Sequence, residues 1–182
     1  MERKENQRVQ LTKRLLKEAL LGLLEQKRLD QINVSELCRA ADINRATFYK
    51  HYAIPQDVLR EMEQEIAAAL RKLAPVDQTP ESAREYMESI CGYLYDHRAL
   101  MRILLESKTD EDILEIVSDT NRRYWSQFGA KNQHGLDEDG AKLMVTFFSA
   151  GTYYMIRRWL LDAVAKTPRE VADMIFRFVT GK

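Results

Sequence analysis

The stretch from Asn33 to Tyr52 leaves this chain the least freedom. Val34, Leu37 and Ala41 fall on one helical face, the pattern breaks at Asp42-Ile43, and it resumes with Phe48 and Tyr52. Two short helices result, joined by a tight turn that Ile43 plugs. Asn33 opens the first with Glu36 three residues on, and Asn44 is placed to cap the second. Packing of this kind sets two helices at a steep angle, so that the second can enter a DNA major groove. Its outward positions are Arg45, Thr47, Lys50 and His51, with Tyr49 at the flank. Arg can pair with guanine O6 and N7, and Thr offers a methyl to thymine or a hydroxyl to phosphate. Tyr, Lys and His suit phosphate positioning.

The rest of the chain also reads as helix. Leu16, Ala19, Leu20, Leu23 and Leu24 recur at three- and four-residue spacing, and no alternation of useful length suggests a strand. Thr167-Pro168-Arg169-Glu170 combines a capping box with Pro at the first helical position; Pro55 and Pro80 open two more helices. The punctuation predicts about nine helices, at 8–26, 34–41, 45–52, 55–73, 80–96, 98–106, 111–128, 137–162 and 168–180. The fold class is therefore all-α: a three-helix DNA-binding domain over 1–54, then a helical domain over 55–182. The charge is asymmetric. Residues 1–52 carry 11 Lys/Arg against 7 Asp/Glu, and the remaining 130 carry 17 against 21. A basic head on an acidic body suits phosphate contacts.

The run from Ile32 to Tyr52 resembles the DNA-binding domain of the TetR/AcrR family of bacterial regulators. The amphipathic helix before it and Asp57-Val58-Leu59 after it fit the same pattern, so the likeness covers about residues 9–60. It implies that Tyr49 and the N-terminal residues of the second helix touch DNA, and that a helical C-terminal domain dimerises and binds a small effector. The residues expected at DNA are Asn33, Ser35, Asn44, Arg45, Ala46, Thr47, Tyr49, Lys50 and His51. Two positions depart from the family pattern. Asp42 stands where Gly is usual at the turn; a left-handed backbone there suits Asp less well than Gly. Pro55 stands where a phosphate-contacting Lys is common, leaving a backbone donor near Gln56 or Asp57 as the substitute.

The longest run without a charge is Leu143 to Ile156, 14 residues. That is shorter than the roughly 18–20 needed to span a bilayer, so no membrane partner is expected. A helix apolar all round must be covered all round, and a chain this size covers one face with its own helices. The other face is expected to meet a second copy. Phe147, Ala150, Gly151 and Tyr154, with Val171, Met174, Ile175 and Phe178 of the last helix, are the residues expected at a two-fold dimer contact. Tyr86, Tyr93, Met101, Trp125, Phe128, Phe148 and Tyr153 either line an effector cavity or serve as core and surface aromatics. A cavity of that composition favours an apolar or aromatic molecule.

Other chemistry finds no footing. There is no phosphate-binding Gly loop, no His-Glu-x-x-His helix and no Cys-x-x-Cys pair. His51, His97 and His134 are far apart, so neither metal nor cofactor is expected and an enzyme is not the reading. Cys38 and Cys91 read as buried thiols of a cytoplasmic chain, and the N-terminus has no apolar signal region. Two functions remain: a repressor released from a near-palindromic operator by a small effector, or a TetR-like adaptor or coactivator controlled by a partner protein.

Overall fold

A computed structural model describes residues 2–73, 80–106, 137–162 and 164–180. Among these residues there are eight α-helices and no strand: α1 Glu2–Leu24, α2 Val34–Ala40, α3 Arg45–Phe48, α4 Pro55–Lys72, α5 Pro80–Asp96, α6 Arg98–Glu106, α7 Glu138–Leu161 and α8 Pro168–Thr180. A short 3-10 turn, Leu29–Gln31, precedes α2. The helix expected at 111–128 lies outside the described residues, as do Trp125 and Phe128.

Capping chemistry set the boundaries that the sequence predicted well. Asn33 Oδ1 accepts from the Glu36 N–H at 3.0 Å, and Asn44 Oδ1 accepts from the Ala46 N–H at 2.8 Å. At α8 the capping box is reciprocal: the Glu170 N–H donates to Thr167 Oγ1 at 3.2 Å, and the Thr167 N–H to Glu170 Oε2 at 2.8 Å. With hydrogen bonds from Lys166 and Thr167, the Glu170 carboxyl is held down at about 2. Helix α1 starts six residues before the expected Arg8, because residues 2–7 are helix-compatible but carry no apolar stripe to announce a helix.

The chain divides into two compact units within α4, at Ile66/Ala67, whereas the sequence division at 54/55 falls at the start of that helix. In the first unit Leu16 and Leu20 of α1, Leu37 of α2, Phe48 of α3 and Val58 of α4 are fully buried. Each such side chain contributes about 1.5–3 kcal/mol on leaving water, which holds otherwise marginal short helices in place.

In the second unit α8 lies on α5, and α6 packs against α7. Arg84 of α5 pairs with Asp173 of α8 at 2.5 Å, and the Trp159 indole N–H donates to the Lys166 carbonyl at 2.9 Å. One prediction is corrected here. Val171 and Ile175, expected at a dimer contact, are 4% and 1% exposed within a single chain. The α8 stripe turns its most apolar edge inward onto α5, leaving Met174 and Phe178 as its surface. Burial pushes the Cys91 thiol up to about 12, and both cysteines are free.

Candidate nucleic-acid interface

The two short helices are joined by a tight turn over Asp42 and Ile43. The Ile43 N–H reaches the Cys38 carbonyl at 2.9 Å and the Asp42 N–H reaches the Arg39 carbonyl at 3.3 Å, the paired bonds of a Schellman helix end. Asp42 sits between them at φ 55°, the one positive-φ non-glycine among the described residues. The position is left-handed, so Asp does here what Gly usually does in the family pattern.

The second helix is α-helical over Arg45–Phe48 and then tightens. The Lys50 N–H bonds back to Thr47 at 3.3 Å and the His51 N–H to Phe48 at 2.9 Å, each three residues back, before the Tyr52 N–H closes an α-type turn onto Phe48 at 3.0 Å. The path expected as helix over 45–52 therefore leaves regular helix after Phe48. Phe48 has no exposure and Tyr52 is buried, which orients everything between them. Arg45, Ala46 and Lys50 point to solvent, and Tyr49 is 59% exposed with its ring edge-on to Phe48 at 5.6 Å. Thr47 and His51 are half-buried rather than fully outward: Thr47 neighbours the buried Phe48, and His51 rests edge-on against Tyr52 at 6.4 Å. On α2, Ser35 is half-buried. Asn33 and Asn44 are exposed, but their side-chain oxygens are engaged as caps, which leaves their NH2 groups as the free donors.

At the start of α4 the Asp57 carboxylate takes up the backbone donors just before the helix. Asp57 Oδ2 accepts from the Ala53 and Ile54 N–H groups at 2.9 and 3.1 Å, while Oδ1 holds Arg60 at 2.8 Å. Those backbone bonds hold the Asp57 carboxyl below its ordinary range. The Asp57 N–H itself donates to the Ile54 carbonyl at 3.0 Å. Asp57 is therefore not the substitute backbone donor that the sequence suggested beside Pro55.

No sequence pattern marks the carboxylate behind the second helix. Glu61 of α4 accepts from Lys13 at 2.7 Å, from Lys17 at 2.9 Å and from the Tyr52 hydroxyl at 3.1 Å; Lys17 also bonds Glu65 at 2.6 Å. Burial opposes the Glu61 charge, yet the Lys13 and Lys17 hydrogen bonds prevail and hold its carboxyl at about 2. Burial, with the adjacent Glu61 charge, pushes the Tyr52 phenol up. Lys13 and Lys17 lie on α1, 48 and 44 positions from Glu61 of α4, and Tyr52 lies 9 positions from it just past the second helix, so no helical period or cap pattern reveals the set.

In the second unit, Met101 and Tyr153 are buried at 0% and 3% exposure, and Tyr86, Tyr93 and Phe148 are half-buried. Tyr93 stacks on His97 at 4.2 Å. Phe147 and Tyr154 are 72% and 64% exposed, Gly151 is exposed, Ala150 is half-buried, and Leu143 adds a further 73% exposed residue to the same α7 face. Among the described residues no helix is long and apolar enough to cross a membrane, and no three His, Cys, Asp or Glu side chains gather to hold a metal.

A head of this geometry on a helical body defines a helix-turn-helix regulator. Residues 81–181 match a TetR-type family model described as a transcriptional regulator C-terminal region, and the chain belongs to the TetR family of transcriptional regulators. Solved structures with the same fold include a TetR transcriptional regulator from Streptococcus agalactiae 2603V, 20% identical, covering 98% of this chain and 99% of that one at a TM-score of 0.70. The dihydroxyacetone kinase operon activator DhaS is 13% identical, covering 93% and 94% at a TM-score of 0.68. The Thermus thermophilus repressor FadR in complex with lauroyl-CoA is 13% identical, covering 92% and 93% at a TM-score of 0.57. No curated protein matches the sequence.

Proposed function

We propose that this protein is a dimeric, sequence-specific DNA-binding repressor acting in the cytoplasm and released from its operator by a small effector. The observation that carries the reading is the second helix itself. Phe48 anchors it without exposure, Asn44 caps it, and Arg45, Tyr49 and Lys50 stand outward together. Arg45, Ala46 and Thr47 meet base edges, while Tyr49, Lys50, His51, Ser35 and the amide groups of Asn33 and Asn44 meet phosphates.

The α7 face formed by Leu143, Phe147, Gly151 and Tyr154, with Met174 and Phe178 of α8, supports the second subunit. Large side chains left 40–73% exposed on adjacent helices form a patch that a monomer seldom leaves uncovered. Two heads related by a two-fold axis then meet major grooves about 34–36 Å apart on a near-palindromic site. The effector site is the region of Tyr86, Tyr93, Met101, Phe148 and Tyr153. The lauroyl-CoA complex of the Thermus relative supports a molecule with a long apolar part. For release, the effector must bind the free state more tightly than the operator-bound one.

One observation favours a second reading, activation rather than repression: the similar DhaS is an operon activator. A reporter placed behind an operator, selected by the wild-type protein from a randomised duplex pool, separates the two. Expression that rises on deletion of the regulator supports the repressor; expression that falls supports the activator. Salt-insensitive, equal binding to all duplexes in fluorescence anisotropy would overturn both.

A further inference from the structure

The basic head owes its charge to 11 Lys/Arg, and the structure sorts them. Lys13, Arg14, Lys17, Lys27 and Arg28 are paired with carboxylates. Among the residues whose side chains are described, Arg8, Arg39, Arg45 and Lys50 of this head have no ionic partner. Arg45 and Lys50 belong to the second helix. Arg39 belongs to α2 and has a free guanidinium despite two neighbouring acids. Glu36, three residues before it, is taken by Lys27, and Asp42, three residues after it, leaves the helix on a left-handed backbone without pairing.

The faces of α2 say where Arg39 lies. Leu37, Cys38 and Ala41 are buried, which fixes the inward side. The Glu36–Lys27 pair marks one flank as that of the α1 end. Arg39 is exposed beside Glu36 on the outward side, and Ser35, four residues before Arg39, stands next to it on the side away from Glu36. That side borders the second helix. Cys38, beside Arg39 around the helix, lies near enough to Arg45 to feel its charge, and the Arg39 carbonyl is bonded to the turn that leads into Arg45.

We infer that Arg39 is a DNA-backbone contact that works with Ser35 to clamp a phosphate on the α2 side of the groove read by Arg45. The inference rests on the DNA-binding reading above and adds a residue and a role to it. A fork of N–H donors suits a phosphate oxygen pair, and a phosphate contact carries no sequence information. Its loss therefore weakens every duplex alike.

The test uses full-length protein and fluorescence anisotropy on two duplexes: the operator selected from a randomised pool, and a scrambled sequence of equal length. Salt is varied between about 50 and 200 mM. For Arg39→Gln the expected result is a salt slope shallower by about 0.9 and an affinity about tenfold lower near 0.1 M salt, equally on both duplexes. Arg39→Lys restores most of the slope. Arg14→Gln, which removes the same charge from a paired position on α1, leaves the slope at the wild-type value. Circular dichroism of each variant shows that the head is folded. A folded Arg39→Gln protein with the wild-type slope overturns the inference and leaves the DNA reading intact. So does a loss confined to one base pair, which would make Arg39 a base reader. A wild-type protein that binds neither duplex overturns the DNA reading and the inference with it.

Discussion

The Tyr52 hydroxyl, just past the second helix of the helix-turn-helix, donates a hydrogen bond of 3.1 Å to Glu61 of α4, whose carboxylate also holds Lys13 and Lys17 of α1. One side chain thus joins the end of the helix-turn-helix to two long helices. Tyr52→Phe keeps the buried ring and removes only the hydroxyl, so it should cost about 0.5–1.5 kcal/mol in urea unfolding. Glu61→Gln should cost about 1–3 kcal/mol, because it removes the negative charge that Lys13 and Lys17 share. A double-mutant cycle should show the two losses coupled; strict additivity would mean that the bond contributes nothing.

The same carboxylate sets an acid limit. Glu61 is held at about 2 against an ordinary value of 4.5. Its stabilising contribution is complete above the ordinary value and disappears as the pH falls through the folded one. The melting temperature should therefore drop between about pH 5 and pH 2, and the drop should be smaller in Glu61→Gln. An identical acid profile for the variant would assign the acid sensitivity to other carboxylates.

Asp42 at φ 55° is a position where glycine has no steric penalty. Asp42→Gly should stabilise the protein by roughly 0.5–1 kcal/mol, the relief of left-handed strain partly offset by the extra freedom of glycine in the unfolded chain. Asp42→Val, which suits that conformation least, should destabilise by about 1–2 kcal/mol. Denaturant midpoints at constant m-value decide both.

On the helix-turn-helix, Arg45→Ala should relax discrimination at one base pair by about 1–3 kcal/mol. Lys50→Ala should weaken all duplexes alike. Binding measured across a panel of single-base operator variants distinguishes them: a flat loss for Arg45→Ala contradicts the base-reading role.

Phe147 and Tyr154 stand 72% and 64% exposed on one face of α7. Introducing charge there, as in Phe147→Glu with Tyr154→Glu, should give monomers by sedimentation at micromolar concentration with folded secondary structure retained. Affinity for the near-palindromic operator should fall steeply, because two half-sites are no longer engaged together. A dimer that persists places the subunit contact elsewhere.

Much of this was legible in the residues. Asn33, Asn44 and the Thr167–Glu170 box announced helix starts because a side-chain cap is a local interaction, complete within four residues. Phe48, Leu37 and Ala41 announced the helix-turn-helix because their spacing follows the helical period. Less legible was α1 before Arg8, where helix-forming residues carry no apolar stripe. Val171 and Ile175 misled because a stripe shows that a face is buried without showing against what.

Sequence alone therefore determined the all-α class, the caps, the break at Asp42-Ile43 and the outward placing of Arg45 and Lys50, since each depends on neighbours a few residues away. Only the tertiary structure decided which apolar face of α8 turns inward and that Glu61 gathers Lys13, Lys17 and Tyr52. It also decided which of the head's cations, Arg39 among them, remain unpaired. Those facts depend on groups brought together across long stretches of chain, and side-chain pairing across such distances leaves no period or spacing in the sequence.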